Sequence, residues 1–426
     1  MLRTLAIAAL SLASVAIAQK PTTYSCAAKP APDATALSAS TVYAADKSGF
    51  DLATAPTTLS GGACSSDKPF FFSIPATDGD YKVSVVLGGP EPSTTTLRAE
   101  SRRLLLLEKS LPARASSTET FVINVRLPHI AGTDQDVRRK PREIGALDWD
   151  NKLTLEFNGE HPSVRSITIE PVTNVPTVYL AGDSTVVDQD KEPWAAWGQM
   201  LPLFVTDRVS IANDAESGET IKSFLGERRW PKILSTLKRG DYVLIQFAHN
   251  DQKPGSGFVS IPEYKDLMKR FVAEAKAKGA TTILVTAMNR RNFDDDGKIR
   301  QTLGDYPQAT RDVAAELHLG LIDLNAMSKS LFEAMGPEGT LKAFVHYPAN
   351  TFPGQADELK DDTHFNSYGA YELARAIVQT IRDQHLPLDQ YLRKDIAPFN
   401  PSQPDPVATW HLPPSPAIDT TTPYGR

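Results

Sequence analysis

Residues 177–185 read Thr-Val-Tyr-Leu-Ala-Gly-Asp-Ser-Thr, a short apolar run that stops abruptly on a glycine and a serine. The run predicts a buried strand over Thr177–Ala181, with Ser184 where that strand ends and the chain turns. Val209–Ala212, Asp241–Ala248, Thr281–Ala287 and Leu319–Leu324 repeat the apolar pattern. Amphipathic segments separate them. After Ser260, for example, Tyr264, Leu267, Met268, Phe271, Val272 and Ala275 share one face, Ser260 and Glu263 form a capping-box pattern, and Gly279 closes the helix. Strands alternating with helices predict an α/β fold, a mainly parallel sheet with helices on both faces. Active sites of such sheets lie at the carboxyl ends of the strands.

Upstream, the pattern is different. Phe70–Ile74, Tyr81–Leu87, Phe121–Val125, Leu153–Phe157 and Val164–Ile169 are short and rich in β-branched and aromatic residues. Leu153, Leu155 and Phe157 alternate with Thr154 and Glu156, so an all-β sandwich is expected there. Pro171–Pro176 reads as a linker, and prolines recurring from Pro398 to Pro416 read as an extended tail over the surface. The first residues carry Arg3, an apolar run from Leu5 to Ile17 and the small-x-small site Ala16-Ile17-Ala18, the pattern of a secretory signal. The expected division is a signal peptide at 1–18, a β-sandwich domain at 19–172, a catalytic domain at 176–395 and a Pro-rich tail at 396–426.

The 426 residues are 41% hydrophobic and 23% charged, which excludes disorder and a multi-pass membrane protein. A formal net charge of -6 leaves no global field to hold nucleic acid or an anionic membrane, so an acidic substrate would need a local basic patch. Cys26 and Cys64 are the only cysteines, and an exported compartment permits them to pair. Neither belongs to a Cys-x-x-Cys pair, so zinc and thiol redox chemistry are poor readings. The expected location is secreted or periplasmic; nothing in the sequence sets the oligomeric state.

Four segments carry chemistry. Ser184 occupies a position for a nucleophile, or for a turn serine that caps a helix. In Asp361-Asp362-Thr363-His364, Asp361 can accept the Nδ1 proton of His364 and leave Nε2 as a general base, while Asp362 points elsewhere; the bland reading is an acidic loop with a surface histidine. Gly218 and Asn250 follow further strands and can offer a backbone and a side-chain N–H to an oxyanion; alone they are a turn glycine and an Asx turn.

In this order the blocks resemble the SGNH, or GDSL-type, hydrolases. The wording "LAGDSTVVDQ", "NDAESGETIKSF", "QFAHNDQK", "NRRNFDDDGK" and "DDTHFNSYGAYELA" is similar to that of the rhamnogalacturonan acetylesterases, over about Thr177–Gln384. The resemblance implies a three-layer, flavodoxin-like α/β/α esterase domain. In it Ser184 is the nucleophile, His364 the base and Asp361 its orienter, with the Ser184 and Gly218 N–H groups and Asn250 as oxyanion donors. Asp214 departs from the pattern, since bacterial relatives more often carry histidine there. The β-rich region is similar to the galactose-binding-like modules found before some of these esterases.

The implied reaction is removal of acetyl groups from pectic polysaccharide with no metal or organic cofactor. The alternatives are an esterase for another acetylated glycan or small ester, and an inactive carbohydrate-binding protein. Arg290 and Arg291 follow the strand ending at Ala287 and are candidates for a uronate carboxylate, unless they pair with Asp294, Asp295 or Asp296. Arg102 and Arg103 read as solvated charges flanking a core strand, and Trp149 as core. Trp194 and Trp197 either stack on sugar or pack in a core.

Overall fold

A computed structural model describes residues 20–423, so the expected signal peptide lies outside the described residues. The run at 177 forms the strand Thr177–Gly182. It lies in a five-stranded sheet ordered Ser210–Asn213, Thr177–Gly182, Tyr242–Gln246, Thr281–Val285, Gly320–Ile322, with every pairing parallel. Counted along the chain this order is 2-1-3-4-5. The winding direction therefore reverses between the first and third strands, and sheets of this order bind their ligands outside the carboxyl ends at that point.

Both faces of the sheet are covered, which explains the unbroken apolar runs. Val178, Leu180, Leu244 and Ile283 join a core with Trp197, Leu324, Phe332, Leu373 and Ile377. Their neighbours Tyr179, Ala181, Val243, Ile245 and Leu284 join a second core with Phe224, Trp230, Tyr264, Phe271 and Val313. The helix after Ser260 spans Ile261–Ala277, buries the expected face apart from partly exposed Leu267, and ends before Gly279 at φ +82°. Only half of its capping box forms. The Ser260 hydroxyl accepts from the Glu263 N–H at 3.4 Å, but the Glu263 carboxylate turns to Lys222 at 2.9 Å.

The β-rich part holds two sheets. One is seven-stranded, with Gly79–Leu87 and Ser163–Val172 near its centre; the other is five-stranded and antiparallel, ordered Gly49–Asp51, Phe70–Pro75, Lys152–Asn158, Ser93–Ala99, Arg103–Leu111. Phe70, Phe72, Leu97 and Phe157 of the second share one core with Val83, Val85, Ile123 and Ile167 of the first. Cys26 and Cys64 are disulfide-bonded across a separation of 38 residues. Closing such a loop stabilises by about 3 to 4 kcal/mol in the chain-entropy model. Trp149 is buried beneath the Arg126 guanidinium, 4.6 Å from its ring.

Arg102 and Arg103 overturn the expectation of solvated charge. Both are buried, and both cross to the segment that follows Ser184. Arg102 pairs with Glu192 at 2.5 Å and donates to the Trp194 carbonyl at 2.8 Å; Arg103 pairs with Asp188 at 2.5 Å. The adjacent Leu104 enters the core of the parallel sheet. A buried guanidinium needs a carboxylate, and here the carboxylates come from the other half of the chain, where local sequence gives no hint of them.

The Pro-rich segment crosses the surface, yet it is pinned. Phe399 is buried in the parallel-sheet core, and the Tyr368 hydroxyl donates to the Asp405 carbonyl at 2.6 Å. Ser415 donates through Oγ to Glu156 at 2.9 Å, and through its N–H to Glu192 at 3.1 Å. Beyond it, Asp419 accepts at its carbonyl from the Trp194 indole at 2.9 Å.

Candidate active site

Beyond the end of the first strand, three side chains form a hydrogen-bonded line. Ser184 follows the first strand; its Oγ lies 2.8 Å from His364 Nε2, and His364 Nδ1 lies 2.9 Å from Asp361 Oδ2. All three are buried. Burial opposes ionisation of Asp361, but the His364 hydrogen bond and the N–H groups of Thr363 and His364 outweigh it and hold its pKa below the usual 3.8. An ionised carboxylate only accepts, so Nδ1 carries the proton and Nε2 is left to accept from the serine hydroxyl. The Trp194 ring meets the imidazole edge-on at 5.9 Å, and Trp197 is fully buried with its indole N–H on Gln246 at 3.0 Å.

Asp361 and His364 sit on a strand, Leu359–Phe365, and not in an open loop. Residues three apart on a regular strand face opposite ways, but the ladder with Phe344–Tyr347 skips here, matching Phe344 to Phe365 and Val345 to Asp361. The extra residues arch, and Asp361 Oδ1 ties the arch down by accepting from the N–H groups of Thr363 and His364 at 2.8 and 3.0 Å. Asp362 points away and meets His346 at 2.8 Å and Arg291 at 3.1 Å.

Gly218 lies between the strand Ser210–Asn213 and the helix Ile221–Gly226 at φ +81°, a left-handed conformation that favours glycine. The Asn250 amide uses one N–H on the Glu219 carbonyl at 2.9 Å, and its second N–H remains. Arg290 donates to the His249 carbonyl at 2.9 Å, and burial lowers its pKa against the pull of Asp183 and Asp361. Arg291 bonds Asp362 and the Pro337 carbonyl rather than Asp294, Asp295 or Asp296.

The sequence reading missed several neighbours. Gln189 donates through Nε2 to the Ser184 carbonyl at 3.0 Å. His249 lies 3.4 Å from Asp183, both buried; burial lowers its pKa against the pull of Asp183. Lys140 and Arg142 arrive from before the parallel sheet and bind the segment around Gly218. The signal for them was the basic stretch Arg138-Arg139-Lys140-Pro141-Arg142. Among the described residues no group of His, Cys, Asp and Glu could hold a metal ion, and no helix is long and apolar enough to cross a membrane.

The GDSL-like Lipase/Acylhydrolase family model matches residues 180–371. The rhamnogalacturonan acetylesterase RhgT of Bacillus subtilis is 41% identical over 217 residues, which cover 50% of this chain and 93% of that one. The chain belongs to the GDSL-like lipase/acylhydrolase family. This GDSL-type chain is an esterase. The probable rhamnogalacturonan acetylesterase YesY of the same organism is 31% identical over 51% of this chain and 98% of that one. The uncharacterized esterase YxiM, also of B. subtilis, is 29% identical over 74% of each chain. A solved structure of the B. subtilis protein YXIM covers 86% of this chain and 99% of that one, at 24% identity and a TM-score of 0.47.

Proposed function

We propose that this esterase removes acetyl groups from pectic polysaccharide of the rhamnogalacturonan type, by a Ser-His-Asp acyl-enzyme mechanism. The observation that carries the reading is the line of contacts from Ser184 Oγ through His364 to Asp361. His364 Nε2 takes the hydroxyl proton as Oγ attacks the acetyl carbonyl, and Asp361 holds the imidazolium that forms. The N–H groups of Ser184 and Gly218 and the free N–H of Asn250 receive the oxyanion. His364 returns the proton to the departing sugar oxygen, and a water activated by the same base then releases acetate. The substrate class is taken from RhgT and YesY, whose names carry it.

In the same reading residues 19–172 are a β-sandwich domain, supported by two sheets on one core. Residues 176–395 are a three-layer α/β/α catalytic domain, supported by the cores on the two faces of its sheet. An exported location is supported by the disulfide and the terminal signal pattern. Arg290 and Arg291 are assigned to the uronate carboxylate on their position beside the strand ends.

The test is acetate release from acetylated rhamnogalacturonan and acetylated xylan by the wild type and Ser184→Ala. The wild type should prefer the pectic polymer, and Ser184→Ala should lose on the order of 10⁴-fold or more in turnover. Near-normal hydrolysis by a folded Ser184→Ala protein would refute the mechanism, and a preference for xylan would refute the substrate.

A further inference from the structure

The segment Glu216–Glu219 carries Gly218, and side chains from outside the parallel-sheet half converge on it. Lys140 Nζ donates to the Ser217 carbonyl at 2.5 Å and pairs with Glu219. Arg142 donates through Nε to Glu216 at 2.7 Å and through Nη2 to Ser217 Oγ at 2.9 Å. The turn that presents them is itself anchored. Pro141 opens a short 3-10 turn, Glu143 accepts from the Lys140 N–H at 2.7 Å, and its carboxylate pairs with fully buried Arg229 at 2.5 Å.

The Ser217 carbonyl and the Gly218 N–H belong to one peptide unit. That unit is planar and trans, so its C=O and N–H point in opposite directions. A lysine fixed on the carbonyl therefore dictates that the Gly218 N–H points away from it, and the positive charge polarises the amide into a stronger donor. The other restraints fall on its neighbours: the Glu216 N–H donates to the Gly182 carbonyl at 3.2 Å, the Glu219 N–H to the Glu216 carbonyl at 3.3 Å, and the Glu219 carbonyl accepts from Asn250 at 2.9 Å, while Gly218 itself has the widest conformational freedom of any residue type. Oxyanion donors act only when held within about 2.7 to 3.1 Å of the developing charge.

We propose that Lys140 and Arg142 are positioning residues of the active site, which aim the Gly218 N–H at the oxyanion; this rests on the reading above in which Gly218 is a donor. The β-rich half then takes part in turnover, and is not solely a module appended for binding.

Lys140→Met and Arg142→Ala should be assayed on a chromogenic acetate ester, with active sites counted by a serine-directed phosphonate. Affinity for a boronic acid that mimics the tetrahedral intermediate should be measured alongside. Complete loss of an oxyanion donor costs about 10²–10³ in kcat, so a misaimed donor should cost roughly tenfold to a hundredfold per titrated site. KM should hold, boronate affinity should fall with kcat, and Lys140→Arg should restore most of both. A merely structural role would lower the titrated fraction and leave kcat per site and boronate affinity intact. That result, or a change in KM alone, overturns the proposal. Should the charge variants fail to fold, Ser217→Ala removes the oxygen held by Arg142 without altering the β-rich half, and wild-type kcat and boronate affinity there overturn the role given to Arg142. Ser184→Ala run in parallel separates the two readings: activity in that variant sinks the mechanism, whereas an inactive Ser184→Ala beside fully active Lys140 and Arg142 variants sinks only this inference.

Discussion

Replacing Arg103 by methionine tests whether buried charge locks the β-rich half to the segment after Ser184. The Arg103 and Asp188 side chains are 2% and 0% exposed, with Nε to Oδ2 at 2.5 Å. Nη1 donates to the Asn124 carbonyl at 2.6 Å, while Nη2 is buried without a partner. Burial opposes the charge on Arg103, but Asp188 and Glu100 outweigh it and raise its pKa. Arg103→Met leaves the Asp188 carboxylate buried with the Asn213 amide, 2.7 Å away, as its remaining polar contact on Oδ1. Removing one member of a buried pair costs about 3 to 5 kcal/mol, roughly a hundredfold to several thousandfold in the folding equilibrium. The double variant Arg103→Met/Asp188→Leu discards both charges and the unpartnered Nη2, so it should return to within about 1 kcal/mol of the wild type. Urea melts at neutral pH, followed by tryptophan fluorescence, measure both, and raising the salt should leave the loss in the single variant unchanged because the pair is dry. A single variant within about 1 kcal/mol of wild type, the scale of a solvated pair, would refute the reasoning, as would a double variant no better than the single one.

Asp251 is wholly buried, which pushes its pKa from 3.8 to about 8, while its Oδ2 has no partner. Raised folded-state affinity for a proton means that stability falls as pH climbs from about 4 to 8, the range in which the unfolded carboxyl is ionised and the folded one is not. Asp251→Asn should flatten that decline and exceed the wild type at pH 8 in urea or thermal melts; equal slopes would contradict the assignment. Arg290→Gln should lower kcat/KM on de-methylated acetylated pectin by roughly tenfold to a hundredfold and leave a neutral chromogenic ester nearly unchanged, the scale of one charge-assisted hydrogen bond. Arg291→Gln should do less, because its guanidinium already holds Asp362 and the Pro337 carbonyl, and an equal loss on both substrates in either variant would recast that arginine as structural.

The parallel sheet was legible because its strands are covered on both faces and so carry unbroken apolar runs, as in residues 178–181 and 242–245. Ser184, Asp361 and His364 were legible because their blocks abut strand ends and a helix start. The bulge that lets Asp361 and His364 face one way was not, since it depends on a register skip against residues 344–347. Ser93–Ala99 was missed because it opens Ser-Thr-Thr-Thr, a polar run whose burial follows from its place between two other strands. The fate of Arg102 and Arg103 was invisible for a further reason. Their partners Glu192 and Asp188 lie about ninety residues away, and a solvated arginine and a buried, paired one are spelled alike.

The contact from the Trp194 indole to the Asp419 carbonyl spans 225 residues of chain. A ribosome adding about 5 to 20 residues per second needs roughly 10 to 45 s to cover that stretch. Ser184, the tryptophan near it and the carboxylate of Glu192 therefore exist for many seconds before the segment that braces them has been made. Loop closure over such a span is slow to be rewarded, so the bracing contacts belong to the late events of folding. The wall beside His364 is thus held by a contact that the chain can make only once residue 419 has been added.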